Sequence, residues 1–432
     1  MNRQIYTLGL YLLFPIILLY FLYRGIKDPR YLNHFFERFG FVKSNKKLFG
    51  KTLLIHCASI GETKAATPLI TNLFENEQFT QIIITNTTPT GREEAEKLIQ
   101  SITDLNHSSV KMFNYYLPID WPFSSRLFLN RLNVDVVVLM ETELWPNFIC
   151  QCKLKNIPII LANARMSEKS TKKYQRHPKL SKSVLFGLTF IAAQYESDKT
   201  QFLSLDIEKN KVKCVGSIKF NIEINEQLKN KQNQLRNSLC KGRPCWIACS
   251  IHPGEFDIIL NSHKNLLFEH PDLLLIAVPR HPEQFELLKT KIAEIGLKFI
   301  NRSQGQIPDK TTQLIVGDTM GELTLLCGVA DIAFVGGSLI DRGGHNPLEP
   351  AACNLPVLMG NSNYNFSDVS KIMRDNDCLT LVDNEATLVS NINLLLSNKN
   401  RLQDHYIKTN TLFEENGQAV KELTKIITRS VE

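Results

Sequence analysis

Strands and helices alternate along this chain in two separate runs, and that rhythm narrows the possible folds more than any single motif does. In the first half, Thr52–Cys57, Gln81–Asn86, Val134–Met140, Ile159–Ala162 and Phe190–Ala193 are short apolar runs of strand length. Thr63–Phe74, Thr90–Ile102 and Pro146–Lys155 carry helical patterns between them. The rhythm restarts at Cys245–Cys249, Leu273–Val278, Gln313–Val316, Ile332–Val335 and Val357–Met359. Such alternation predicts parallel sheets with helices on both faces, and ligand chemistry at the carboxyl ends of the strands. A chain of 432 residues exceeds one ordinary core. The expected fold class is therefore α/β, with two doubly wound Rossmann-like domains at residues 28–222 and 243–432. The polar, Asn-, Gln- and Lys-rich stretch 223–242 reads as their connection, and the helical stretch Glu385–Ile427 as free to cross back to the first domain.

Residues 1–27 read as a membrane anchor. Ile5–Tyr23 runs 19 residues without a charge. As one helix it would reach about 28 Å, close to the hydrocarbon thickness, with Tyr6, Tyr11, Tyr20 and Tyr23 as interfacial aromatics. No small-residue cleavage site follows it, which favours a retained transmembrane helix over a cleaved signal peptide. Arg3 precedes the run, whereas Arg24, Lys27, Arg30, Arg38, Lys43, Lys46 and Lys47 follow it. That bias predicts a body on the cytoplasmic side of the membrane. Tyr31–Phe36 reads equally as a segment lying on lipid or as a first helix packed on the body. The net charge of +7 suits an acidic substrate or an anionic membrane surface. No arginine-rich run supports nucleic acid. Ten cysteines without a CxxC pair are the usage of reduced, buried thiols.

Strand-to-helix turns hold the chemistry-bearing residues. Phe334–Pro350 reads FVGGSLIDRGGHNPLEP and leads into a helix expected at Pro347–Ala352. Gly336, Gly337, Gly343 and Gly344 permit close approach of the backbone to a ligand. The helix start would favour a phosphate, and Glu349 could accept both hydroxyls of a ribose. These are parts of a nucleotide-sugar site, not of the dinucleotide fingerprint, because no G-x-G-x-x-G follows a first strand. In HCASIGE, Glu62 is either a helix cap or a general base for an acceptor hydroxyl. METELWPN delivers Glu141 and Glu143, which would face the same way on an extended chain. Lys219 in GSIKF is either a surface lysine or a point charge for a phosphate or carboxylate. Arg280 in VPRHPE suits a phosphate oxygen, and the backbone of GDTMGEL a base edge or a sugar. SIHPGE is a further turn of this kind, so four are expected at one sheet edge in the second half. No HExxH or clustered His/Cys set is present, and Asp375-Asn376-Asp377 reads as a solvated turn, so no metal is expected.

Two doubly wound halves in tandem describe the B-type glycosyltransferase architecture, with the donor nucleotide in the second half and the acceptor in the first. The order of ASIGE, ETELWPN, NARMSEKS (Asn163–Ser170), GSIKF, PRHPE, GDTMGEL and GGHNPLEPAA closely resembles the bacterial 3-deoxy-D-manno-octulosonic acid (Kdo) transferase family over nearly the whole chain. The resemblance implies an inverting transferase that moves Kdo from CMP-Kdo to the tetraacyl lipid A precursor at the cytoplasmic face of the bacterial inner membrane. It implies Glu62 as general base, with Glu141 and Lys219 as transition-state stabilisers. It implies CMP contacts at Arg280, His281, Met320, Gly321, Glu322, Asn346, Pro347, Leu348 and Glu349. Its implied partners are CMP-Kdo, the lipid A precursor and inner-membrane lipids, with no cofactor. SIHPGEF and GSIKF depart from the family's commoner forms, but leave those residues in place. The competing readings are a transferase using a UDP- or ADP-sugar and a membrane-tethered, non-catalytic nucleotide-sugar sensor.

Overall fold

The structure, a computed structural model, describes residues 2–43, 50–105, 108–222 and 224–431. Lys46 and Lys47 of the basic flank, and residue 223 of the expected connection, lie outside the described residues. The chain forms two compact units, one from Met1–Asn221 with Asn416–Glu432, the other from Ile222–Glu415.

The first unit holds seven strands: β1 (Thr52–His56), β2 (Gln81–Asn86), β3 (Lys111–Tyr116), β4 (Val136–Met140), β5 (Ile159–Ala164), β6 (Phe190–Ala193) and β7 (Val212–Cys214). They pair in parallel in the order β3-β2-β1-β4-β5-β6-β7. β1, β2, β4 and β5 are buried along their whole length, as strands covered on both faces must be. Successive side chains serve opposite cores. Leu53 and Ile55 join Leu69, Ile70 and Leu73 of the helix Ile60–Glu75, whereas Leu54 joins Phe128, Leu129 and Phe148 on the other face. Each such fully buried side chain contributes roughly 1.5–3 kcal/mol. The helix Ala419–Arg429 closes the first of these cores with Val420, Leu423 and Ile427.

The second unit repeats the plan with β8 (Cys245–Ile251), β9 (Leu274–Pro279), β10 (Phe299–Asn301), β11 (Leu314–Val316), β12 (Ile332–Val335), β13 (Val357–Gly360) and β14 (Leu379–Val382). Their parallel order is β10-β11-β9-β8-β12-β13-β14. Strand order reverses between β1 and β4 in the first unit and between β8 and β12 in the second. Crevices for ligands open at such switch points, outside the carboxyl ends of the strands.

The polar stretch 223–242, expected as a connection, is largely a helix, Glu226–Leu239, capped by the Asn225 side chain. It is part of the second unit: Gln232 donates to the Thr324 carbonyl at 2.9 Å and Arg236 pairs with Asp331 at 2.7 Å. Its solvent-facing side accounts for the polar composition.

The amino-terminal segment also departs from the single straight helix expected. It forms two helices, Arg3–Leu12 and Phe14–Lys27, bent by 53° at the break. Pro15 lies in the first turn of the second helix, where its missing N–H costs nothing. Among the described residues no single helix is long and apolar enough to cross a membrane, although the bent pair together meets that test of length and composition. The pair is fastened to its own unit. Arg3 and Thr7 both donate to Asn147 Oδ1, at 3.2 and 3.0 Å. Tyr11 stacks on Trp121 and Phe14 meets the same ring edge-on. The basic flank is not uniformly solvated either. Arg30 is bound by Asp28 and Glu93, and Arg38 is only 3% exposed.

Candidate active site

In the first unit both strands at the switch point deliver acids. β1 ends at His56, and Ser59 then caps the helix Ile60–Glu75, its Oγ accepting from Glu62 N. The Glu62 carboxylate turns back to accept the Ala58 N–H at 2.9 Å and the Ser59 hydroxyl at 3.2 Å. It is thus a helix cap in geometry, and its ionisation is nonetheless perturbed. Burial pushes its pKa up to about 7; the Ala58 N–H opposes the shift, and the nearby Glu143 and Glu141 add to it. A carboxylate tuned to neutral pH is suited to taking a proton from a hydroxyl.

β4 ends at Met140, and the next residue does not continue the extended chain. Glu141 takes a left-handed φ of 54° and donates its N–H to the Ala162 carbonyl at 2.9 Å. The period-two argument for Glu141 and Glu143 therefore fails, because a turn separates them. Glu143 accepts from Trp145 Nε1 at 3.0 Å and lies 3.7 Å from His56 Nε2. Burial works to raise the Glu143 pKa, but His56 and Trp145 outweigh it and hold the group below its ordinary value. The motif HCASIGE by itself assigns His56 no role. It is fully buried, with Nδ1 3.0 Å from Thr85 Oγ1 and 3.1 Å from the Thr85 carbonyl. Its signal was position: it is the last residue of the strand whose following turn carries Glu62.

Lys219 is half-buried on the short turn Ile218–Phe220. Asn163, with a left-handed φ of 52°, accepts the Ile218 N–H through Oδ1 at 3.2 Å. The asparagine that opens NARMSEKS thereby sets the turn that presents Lys219.

In the second unit, two of the four expected turns meet at Glu255, and a third approaches them through His281 beside His252. The Glu255 carboxylate is fully buried in the helix Pro253–Glu269. It accepts the N–H groups of His252, Gly337, Ser338 and Leu339 at 2.8–3.1 Å. Gly336 passes so close to β8 that an added Cβ would lie 2.7 Å from Ile251 Cα, and Gly337 has φ of 69°. His252 and His345 meet through their Nε2 atoms at 2.8 Å, and the His281 ring centroid is 6.0 Å from that of His252. Burial pushes His345 down to about 4, and Arg280, His252, His281 and Arg342 act in the same direction. Burial likewise lowers the His252 pKa, so this edge favours the neutral forms of His252 and His345.

Arg280 is exposed and held by its backbone N–H to the Ile251 carbonyl at 3.0 Å. Glu349 is brought to it. Burial raises the Glu349 pKa, opposed by Asn346, Arg280 and Thr324. The helix behind it is shorter than expected, Leu348–Ala352, preceded by Pro347. Asn346 Oδ1 already accepts the Leu348 N–H at 3.1 Å. One turn with a capped start offers little dipole, so charge at this edge comes from side chains. In the fourth turn Met320 is 63% exposed and Gly321 has φ of 79°. Glu322 is engaged by Arg302 at 3.1 Å and Thr319 at 2.6 Å. Among the described residues no group of three or more His, Cys, Asp or Glu could hold a metal ion.

Two parallel α/β units with these switch-point sites define a fold shared with nucleotide-sugar enzymes. UDP-GlcNAc 2-epimerase from Neisseria meningitidis, solved bound to UDP-GlcNAc, aligns over 88% of this chain and all of its own at 13% identity, with a TM-score of 0.57. That likeness is one of fold. A solved C-terminal CMP-Kdo binding domain of WaaA from Acinetobacter baumannii aligns over 44% of this chain and 98% of its own at 27% identity, with a TM-score of 0.42. Residues 33–222 match the family model described as 3-deoxy-D-manno-octulosonic-acid transferase (kdotransferase). The 3-deoxy-D-manno-octulosonic acid transferase of Haemophilus influenzae is 40% identical over 373 residues, 86% of this chain and 85% of that protein. The chain belongs to the Kdo transferase family and is a glycosyltransferase.

Proposed function

We propose that the enzyme transfers Kdo from CMP-Kdo to the tetraacyl lipid A precursor by a single inverting displacement, with Glu62 as general base. The observation that carries this reading is the Glu62 carboxylate at the β1/β4 switch point, raised to about 7 by burial. Ionised, it takes the proton of the acceptor hydroxyl while that oxygen forms its bond to the anomeric carbon of Kdo. The bond from that carbon to the CMP phosphate oxygen breaks, and CMP leaves with the electron pair. Arg280 and Lys219 offset the negative charge on the leaving phosphate, and Glu141 faces the positive charge developing on the sugar. Glu349 and Asn346 hold the ribose, and the Met320–Glu322 turn the base; His281, Pro347 and Leu348 complete the nucleotide edge.

In this reading no metal takes part, and the bent amino-terminal helices keep the enzyme at the cytoplasmic face of the inner membrane. The test is mass spectrometry of the lipid formed from CMP-Kdo and the tetraacyl precursor. A product heavier by Kdo is expected from the wild-type enzyme, with or without EDTA, and not from Glu62→Gln. Activity with UDP- or ADP-sugars alone would replace the donor assignment. Activity lost on chelation and restored by magnesium would overturn the metal-free mechanism.

A further inference from the structure

The loop between β12 and the helix Leu348–Ala352 carries a cation that the proposed reaction leaves unused. Arg342 is exposed on it, and its side chain makes no hydrogen bond or ion pair with any described residue. Only its backbone is engaged, the N–H by the Ile340 carbonyl and the carbonyl by Asn365 Nδ2 at 2.9 Å. The loop itself is fixed. Gly343 gives its N–H to Ser362 Oγ at 2.9 Å, and Gly344 gives its own to the Gly337 carbonyl at 2.8 Å. Left-handed φ angles of 78° and 69° at these glycines turn the chain back, and His345 returns its N–H to the Gly336 carbonyl, directly after β12, at 3.1 Å. Burial is the main cause of the lowered pKa values of His252 and His345, and the charges of both Arg342 and Arg280 add to it. The two arginines therefore flank one pair of imidazoles.

That pair supplies a further donor. His252 Nε2 and His345 Nε2 lie 2.8 Å apart, so one proton sits between them. The buried His252 side chain turns to the Glu255 N–H as in a capping box, though Nδ1 falls short of a hydrogen bond there. Facing a donor, Nδ1 is bare, and the His252 proton is on Nε2 and donated to His345. Neutral His345 then carries its own proton on Nδ1, and no described residue accepts it.

The proposed donor brings two anions to this edge. An ulosonic acid has its carboxyl group beside the ketone carbon, so the anomeric carbon of CMP-Kdo bears both the phosphate oxygen and the carboxylate. A site for it needs a second cation close to the first. A planar guanidinium takes both oxygens of a carboxylate at once, and Arg342 has all its donors unspent. We infer that Arg342, with His345 Nδ1 beside it, binds the carboxylate of the transferred sugar and so selects an acidic sugar on the donor nucleotide. The inference rests on the proposed donor, and its first test needs no turnover.

The full-length protein is titrated by calorimetry with three probes. They are CMP, the CMP-Kdo analogue whose bridging oxygen at the anomeric carbon is replaced by methylene, and the carboxamide of that analogue. Wild type should bind the acid about tenfold or more tighter than the amide, the factor expected for one charge-assisted hydrogen bond. Arg342→Gln should bind acid and amide alike, with CMP affinity and Tm as in wild type. Equal affinity of wild type for acid and amide overturns the inference, as does an Arg342→Gln protein that still prefers the acid. So does loss of CMP binding in that variant as large as its loss of the acid, because the arginine would then be holding the phosphate. In a second arm, kcat/KM for CMP-Kdo should fall about 10–100-fold in Arg342→Gln and recover in part in Arg342→Lys; an unchanged value overturns the inference. The expected binding pattern with no Kdo transferred to lipid would sink the proposed reaction and leave the carboxylate site standing. Binding of UDP or ADP in place of CMP and both analogues would sink the donor and this inference together.

Discussion

At the scale of single residues, Glu62 sets activity against stability. Its folded pKa of about 7 lies above the roughly 4.3 of a free glutamate. Between those values the folded chain binds more protons than the unfolded one, so this group's contribution to stability falls as pH rises from about 4 to 7 and then levels. Glu62→Gln has no such titration. Relative to wild type, its Tm should climb across that window, while turnover falls about 10²–10⁴-fold and CMP affinity stays the same. Wild-type kcat/KM should rise with pH through about 7, and a flat profile would remove the base role. On the nucleotide side, Arg280→Ala and Glu349→Ala should each weaken CMP binding, by roughly 1.5–3 kcal/mol for a charge-assisted hydrogen bond, readable by calorimetry. Glu255→Ala strands the buried N–H groups of Gly337, Ser338 and Leu339. At about 1–3 kcal/mol for each orphaned donor, it should lower Tm sharply and cost CMP binding. The placement of Glu62, Arg280 and Glu349 just beyond the carboxyl ends of apolar strands was legible in the sequence. Glu255 and His56 sit in equally visible turns, but their partners lie 82 and 29 residues away. No local pattern encodes such a contact.

At the scale of elements, strands were readable where the chain is buried on both faces. Val136–Met140 is wholly apolar and was found to within two residues at its start. The edge strand Lys111–Tyr116, partly exposed and carrying Lys and Asn, was missed, as were Val212–Cys214, Phe299–Asn301 and Leu379–Val382. All four are edge strands of the two sheets, which lack the apolar continuity that sequence reading depends on, whereas interior strands as short as Phe190–Ala193 and Ile332–Val335 were read. The amino-terminal bend was illegible for another reason: an apolar run has the same composition straight or bent, and a proline in the first turn of a helix leaves no local conflict. The bend changes what deletion of residues 1–23 should do. Trp121 would lose Tyr11 and Phe14, and Asn147 would lose Arg3 and Thr7. The truncated protein should therefore unfold at lower temperature, with red-shifted tryptophan emission. An unaltered Tm and spectrum would mean that the helices only lean on the body.

At the scale of the whole molecule, both sheets followed from the strand–helix rhythm, and the terminal helical stretch was free to cross back, but the residue at which it does so was not legible. The second unit is one continuous stretch, Ile222–Glu415, whereas the first is assembled from both ends. Expressed alone, residues 222–415 should fold and bind CMP. Residues 1–221 alone lack Ala419, Val420, Leu423 and Ile427, all within their core. At roughly 1.5–3 kcal/mol each, that deficit rivals the entire net stability of a domain, about 5–15 kcal/mol. This fragment should expose apolar surface and aggregate, and addition of a peptide spanning 416–432 should recover soluble protein. A cooperative thermal transition of 1–221 without the peptide would contradict this. The same arrangement dictates an order of events on the ribosome. The half translated first cannot close until residues 416–432 emerge, some 10–40 s later at about 5–20 residues per second. The half translated second needs nothing that follows it. The second unit is thus the first to be finished, and any message truncated after Glu415 would release a completed second unit tethered to an open first one.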